Sequence, residues 1–211
     1  MTPLRRAYER WLLPPLLDLA CGLPALHRER AAVVARAQGR VLEVGIGSGL
    51  NLAHYRVAQV QRIDGLDPSA ELSRKARRRA EQRQLPLQLL QLGAERIPAA
   101  DDHYDSLVCT FTLCTIPEPG LALAEMYRVL KPGGLLLFCE HGLAPDAPVA
   151  RWQRRLNPCW SPCAGGCRLD RDGPALLRAA GFALEELQQH YLPGPRPWTY
   201  VSRGVARKPQ R

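Results

Sequence analysis

The chain has 211 residues, enough for one domain with a substantial core and too few for two comfortable ones. Its hydrophobic fraction of 46% is ordinary for a soluble protein, and no apolar run reaches the roughly 20 residues that a membrane-crossing helix needs. The net charge of +9 comes almost wholly from arginine. Its densest cluster, Arg74-Lys75-Ala76-Arg77-Arg78-Arg79, has no interleaved aromatics and reads as a solvated helix face rather than a nucleic-acid surface.

Residues 1–36 are expected to form a helical cover element. Arg5 and Arg6 precede an apolar stretch in which Trp11, Leu12, Pro15, Leu16 and Leu19 recur near helical spacing. Pro14, Pro15 and Asp18 interrupt that stretch, so it reads as an amphipathic element packing over the domain rather than a secretion signal. A peripheral contact with a membrane surface is the open alternative.

Residues 37–211 alternate strand and helix signals, the pattern of a parallel sheet with helices on both faces. A first strand at 40–44 runs into Gly45, Gly47 and Gly49, and Asn51 to Tyr55 is expected to open a helix whose free amides face a ligand. A strand from Gln61 to Leu66 ends at Asp67-Pro68, followed by a helix from Ser69 to Gln84 with Ser69 as its N-cap. Leu87 to Leu92 and Tyr104 to Phe111 read as the third and fourth strands. Leu121 to Leu130 reads as a helix stopped by Lys131-Pro132-Gly133-Gly134, before the apolar strand Leu135 to Glu140. A Pro, Cys and Gly-rich insertion at about 144–167 precedes a helix from Asp172 to Ala180. Phe182 to Tyr191 and Thr199 to Arg207 close the chain as two strands around a proline-rich turn.

The seven cysteines are an odd number, which suits free thiols in a reducing compartment and a cytoplasmic location. Cys159-x3-Cys163-x3-Cys167 lacks paired C-x-x-C units, and no metal ligand is assigned to it.

The most informative segment is Glu43-Val44-Gly45-Ile46-Gly47-Ser48-Gly49. Glycine is needed where a chain must turn sharply after a strand and let backbone approach a ligand. A dinucleotide site would space its glycines G-x-G-x-x-G, but here position 50 is Leu. The G-x-G-x-G spacing, with Glu43 two residues before the first glycine, resembles the first motif of class I S-adenosylmethionine-dependent methyltransferases. That resemblance implies a Rossmann-like seven-stranded, mostly parallel sheet with a C-terminal antiparallel hairpin. It also implies S-adenosyl-L-methionine as cofactor, with Glu43, Gly45, Gly47, Ser48, Gly49 and Asn51 around it.

Three further motifs match the same family. Asp67, followed by Pro68, stands where a carboxylate holds the ribose hydroxyls, a pair of hydrogen bonds suited to a diol. Ala94 and Glu95 lie in the segment resembling the adenine loop, where many relatives carry an Asp at the position of Gly93. Thr110 and Phe111 stand where relatives bind the methionine end and begin the acceptor pocket. Glu140-His141, Asn157-Pro158 with Trp160, and Gly166-Cys167-Arg168-Leu169-Asp170-Arg171 resemble the methyltransferase-like proteins that include alkyl thiol methyltransferases. The resemblance implies a small, lipophilic acceptor, a thiol or sulfide slightly ahead of a phospholipid amine or a quinone. His141 is the candidate for a base or a hydrogen-bonding neighbour of the acceptor, Cys114 a wall residue, and Trp152, Trp160 and Trp198 candidate cavity linings.

Overall fold

A computed structural model describes residues 7–210. Arg5 and Arg6 lie outside them. Seven strands form one sheet in the order β3-β2-β1-β4-β5-β7-β6. The strands are β1 (Gly39–Val44), β2 (Val60–Leu66), β3 (Leu87–Leu90), β4 (Tyr104–Thr110), β5 (Leu130–His141), β6 (Ala183–Tyr191) and β7 (Tyr200–Arg207). β1 to β5 pair in parallel, and β7 runs antiparallel between β5 and β6. The order reverses at β1, whose neighbours are β2 and β4, so the crevice at the carboxyl ends of β1 and β4 is where such a sheet receives ligands.

Alternation along the strands divides the core. Leu42, Leu107, Leu136 and Phe138 point to one face, against Leu123 and Met126 of α4 (Pro119–Val129) and Leu177 of α6 (Gly173–Ala179). Val41, Ile63, Val108 and Leu137 point to the other, against Val33 and Val34 of α2 (Pro24–Val34) and Ala76 and Ala80 of α3 (Ala70–Gln82). Ser69 caps α3, its hydroxyl accepting the Leu72 N–H at 3.3 Å.

Two expectations about element boundaries need correction. Beyond Gly49 the chain makes two short 3-10 turns, Leu50–Ala53 and Val57–Gln59, instead of a helix, because Asn51 and Tyr55 turn their side chains inward onto Glu43 and the connection to β2 is short. α4 ends at Val129, and Lys131-Pro132-Gly133-Gly134 lies within β5, where the register against β4 shifts and Gly133 takes φ +77°. The insertion is largely a 17-residue helix, α5 (Ala147–Cys163), despite Pro158 and Pro162 inside it. Its buried stripe, Ala150, Gln153 and Asn157, has helical spacing but polar chemistry. Gln153 accepts the Ala144 N–H and donates to the Gly142 carbonyl, both at 2.9 Å, while Asn157 accepts the Leu169 N–H at 2.8 Å.

The N-terminal segment forms α1 (Leu13–Cys21) and α2. The stripe expected to pack inward faces outward instead: Leu12, Leu16 and Leu19 are 59%, 52% and 72% exposed, and Trp11 is exposed beside them. Charge holds α1 in place. Asp18 accepts a hydrogen bond from the Ser48 hydroxyl and from Lys75 at 2.9 Å, and Arg79 reaches both the Ser48 carbonyl and its hydroxyl at 2.7 Å. The cluster expected to be a solvated face is thus exposed at Arg74, Lys75, Arg77 and Arg78, with Lys75 reaching Asp18, but turns Arg79 back over the glycine loop.

Candidate functional site

The glycine loop is built as its spacing requires. Gly45, Gly47 and Gly49 take φ +71°, +53° and +81°, all in the left-handed region. A Cβ at Gly45 would stand 2.2 Å from Thr112, and one at Gly49 would stand 2.9 Å from the Ala76 backbone. At Gly47 the nearest atoms would be 3.9 Å and 4.0 Å away, the second an oxygen of Asp67, so this glycine leaves an open cradle beside a carboxylate.

Asp67 Oδ2 accepts the Gly47 N–H at 2.9 Å and Oδ1 accepts the Ser69 N–H at 2.8 Å. Burial raises its pKa against those two bonds. Each carboxylate oxygen keeps a further lone pair for a hydroxyl. Pro68, at the turn into α3, is exposed. Ala94 is buried, and Glu95 folds back so that its Oε2 lies 2.5 Å from where a Gly93 Cβ would stand. A carboxylate from position 95 therefore occupies the space that a side chain at 93 would fill.

Glu43 is 1% exposed and faces the protein interior. It accepts from Asn51 Nδ2 at 2.9 Å and from the Tyr55 hydroxyl at 2.7 Å, while complete burial pushes its pKa up to about 7. Its direct role is to position Asn51. Asn51 donates in turn to Thr110 Oγ1 at 2.9 Å, and Arg30 of α2 donates to Asn51 Oδ1 at 3.0 Å and to Thr110 Oγ1 at 2.5 Å. The Arg30 guanidinium lies 4.7 Å from the centre of the Phe111 ring, whose backbone takes φ +52°.

Arg30 was not legible as a site residue. It is 4% exposed, yet it sits in a helix with little segregation of polar and apolar residues, and no local motif marks it. Glu140 closes the other side: its Oε1 accepts the N–H groups of Thr112 and Leu113 at 2.9 Å and 3.0 Å.

Beyond Glu140, His141 Nε2 lies 2.9 Å from Cys167 Sγ, and Trp160 donates its indole N–H to the same sulfur at 3.3 Å. Cys114 joins them, with the ligating atoms of Cys114, His141 and Cys167 all within 4.8 Å of one another. The hydrogen bond from Cys114 is the largest effect holding the Cys167 thiol well below its usual range, with those from His141 and Trp160 adding to it against burial. Trp198 packs edge-on against Trp160 at 5.7 Å, whereas Trp152 is 56% exposed and takes no part. Cys159 and Cys163 are exposed, so the x3 spacing does not gather the three thiols of that series.

The residues present fit S-adenosylmethionine. The Gly47 cradle beside Asp67 suits the ribose, and two buried polar atoms without partners among the described residues, Arg30 Nε and Glu140 Oε2, stand on the elements that flank the end of β4. A sheet of this order with a glycine turn after β1 and an acid after β2 defines an S-adenosylmethionine-dependent methyltransferase. A family model for the methyltransferase domain matches residues 42–138.

The thiol S-methyltransferase TMT1B of Rattus norvegicus is 34% identical over 76% of this chain and 66% of its own length. The phosphatidylethanolamine N-methyltransferase of Cereibacter sphaeroides is 34% identical over 72% of this chain and 74% of its own. Among solved structures, YcgJ of Bacillus subtilis shares the fold at TM-score 0.70 and 20% identity, over 89% of this chain and 98% of that one. The chain belongs to the methyltransferase-domain family of S-adenosylmethionine-dependent enzymes, and it spans about two thirds of the length of its thiol-methylating relative.

Proposed function

We propose that this protein methylates a small, lipophilic acceptor, with a thiol or sulfide as the preferred class. The observation that carries this reading is the wall beyond Glu140, where two thiols and an imidazole meet under the Trp160 and Trp198 rings. Such a wall suits a soft, largely apolar nucleophile.

When bound, S-adenosylmethionine supplies a methyl group on a sulfonium; the acceptor's lone pair forms the new bond as the carbon–sulfonium bond breaks, its electrons returning to the donor sulfur. The chain's part is alignment and exclusion of water. Asp67 takes the ribose hydroxyls, Ala94 and Glu95 border the adenine, and the glycine backbone admits the donor closely. Arg30, held by Asn51 and Thr110, meets the methionine carboxylate, and Glu43 keeps Asn51 in place. His141 hydrogen-bonds near the acceptor, whose proton a thiol gives up near neutral pH without an elaborate base. Asp18 latches α1 over the loop.

A second reading, methylation of a phospholipid amine, draws on the outward apolar face of α1. Leu12, Leu16 and Leu19 are exposed, and Trp11, Pro14 and Pro15 line a groove with the exposed Arg74 and Arg78 of α3, an arrangement suited to peripheral contact with an anionic bilayer. Among the described residues, no helix is long and apolar enough to cross a membrane.

Incubation of the protein with S-adenosylmethionine and a panel of alkyl thiols, quinols and phosphatidylethanolamine vesicles, read by mass spectrometry, tests the assignment. Methyl thioethers are the expected products. Product from the lipid amine alone would overturn the thiol preference.

A further inference from the structure

We propose that Cys114, His141 and Cys167 form a binding site for a thiophilic divalent metal ion, zinc being the ion their chemistry suits best. The three come from separate parts of the chain: the loop after β4, the end of β5 and the segment after α5. The fold brings them together, with their ligating atoms all within 4.8 Å of one another.

Two sulfurs and an imidazole nitrogen are a soft donor set that selects zinc over magnesium or calcium. Around a tetrahedral zinc ion, such donors stand roughly 3.3–3.8 Å apart. His141 and Cys167, at 2.9 Å, need to part only slightly to admit the ion. The surroundings already hold these ligands. The Arg168 N–H binds the Cys114 carbonyl at 3.0 Å, and Arg171 holds the Leu113 and Ile116 carbonyls on either side of Cys114. The Trp160 indole N–H at 3.3 Å from Cys167 Sγ is the kind of outer partner that orients a ligating thiolate.

Three protein ligands leave a fourth position open, the pattern of a reactive rather than a closed structural zinc site. The site adjoins Glu140, and through it Thr112 and Leu113 at the crevice. In that position the ion would receive the acceptor's sulfur in exchange for a water molecule, with the thiol proton leaving to solvent and no change of oxidation state. This last step rests on the thiol reading; the metal site itself does not.

Titrating Co(II) into the reduced, metal-free protein of 211 residues tests the site without recourse to activity. The expected result is one ion per chain, with thiolate-to-cobalt absorption in the near ultraviolet and the visible bands of tetrahedral cobalt, displaced by zinc. Cys114→Ser and Cys167→Ser should each weaken binding by ~100-fold or more, and Trp160→Phe by ~10–100-fold. Cys159→Ser and Cys163→Ser, at exposed positions, should leave the titration unchanged. Thermal melting of each variant with and without S-adenosylmethionine shows whether it is folded. Absence of thiolate-to-cobalt absorption in the reduced wild type would overturn the proposal, as would undiminished binding in a folded Cys114→Ser/Cys167→Ser double variant. Stoichiometric cobalt binding with no turnover of any thiol would instead sink the thiol reading and leave the metal site standing. Thiol turnover that survives complete metal removal would exclude the ion's role in holding the acceptor.

Discussion

Arg30, on a helix before the first strand, donates to Thr110 at the end of the fourth at 2.5 Å. A cation so fully buried is tolerable only with partners, and its Nε has none among the described residues. Arg30→Met should retain the fold, since methionine is an apolar side chain of similar length with no charge to bury, but weaken S-adenosylmethionine binding by at least ~10-fold. Isothermal titration calorimetry measures this directly. Unchanged affinity would remove Arg30 from the donor site.

The glycines of the loop should separate packing from binding. Gly45→Ala places a methyl group 2.2 Å from Thr112, so it should destabilise the fold by several kcal/mol, as forced core insertions do at ~1–3 kcal/mol and more. Gly47→Ala meets nothing nearer than 3.9 Å and should cost only the ~1–2 kcal/mol of a left-handed alanine, while blocking close approach of the donor. Denaturant unfolding and donor titration on both variants distinguish the two effects. Equal stability loss in both would contradict the geometry.

Asp67→Ala removes the carboxylate that accepts the Gly47 N–H and is suited to the ribose. Donor affinity should fall by ~100-fold, while the Ser69 cap keeps α3 folded by circular dichroism. Retention of wild-type affinity would overturn the ribose assignment.

Glu43 sets a pH dependence. Its pKa rises on folding from 4.5 to about 7, so the folded state binds the extra proton. The stabilisation from protonated Glu43 is present below about 4.5 and is lost as pH climbs through about 7. Glu43→Gln, neutral throughout, should therefore show a flatter stability profile between those limits than the wild type. Urea midpoints measured across that interval provide the comparison, and parallel profiles would show that Glu43 titrates normally.

Asp18 behaves in the opposite sense. Burial opposes its ionisation, but Ser48, Lys75 and Arg79 outweigh burial and hold its pKa below 3.8. The latch it forms persists above that value and loosens as pH falls below it. At neutral pH, Asp18→Asn should speed donor release several-fold and increase hydrogen exchange across Leu13–Cys21. Unaltered exchange there would mean that Asp18 does not secure α1.

The sheet was legible because β1 and β2 end in turn chemistry, Val44 before Gly45 and Leu66 before Asp67, and because Leu135 to Cys139 of β5 is an unbroken apolar run. Helix α5 was hidden because its buried stripe uses Gln153 and Asn157, which satisfy backbone groups of neighbouring loops, and because two prolines argue locally against a helix. The glycines and Asp67 carry the donor side in local spacing. Cys114, His141 and Cys167 carry no such spacing, since only the crossovers of the sheet bring them together. The orientation of α1 escaped for another reason: its apolar stripe suggested inward packing, but the ionic bonds of Asp18 decide which face meets the domain.

The segment before β1 is tied to the last hairpin by Arg36, just past α2, with Glu186 of β6 at 2.7 Å and by Glu29 of α2 with Arg203 of β7 at 3.2 Å. A recombinant fragment trimmed to begin at residue 37 would keep all seven strands and every glycine of the loop. It would lack the guanidinium at Thr110 and both ties to the last hairpin. Such a fragment would lose a piece of the site together with the Val33 and Val34 side chains that cover one face of the sheet.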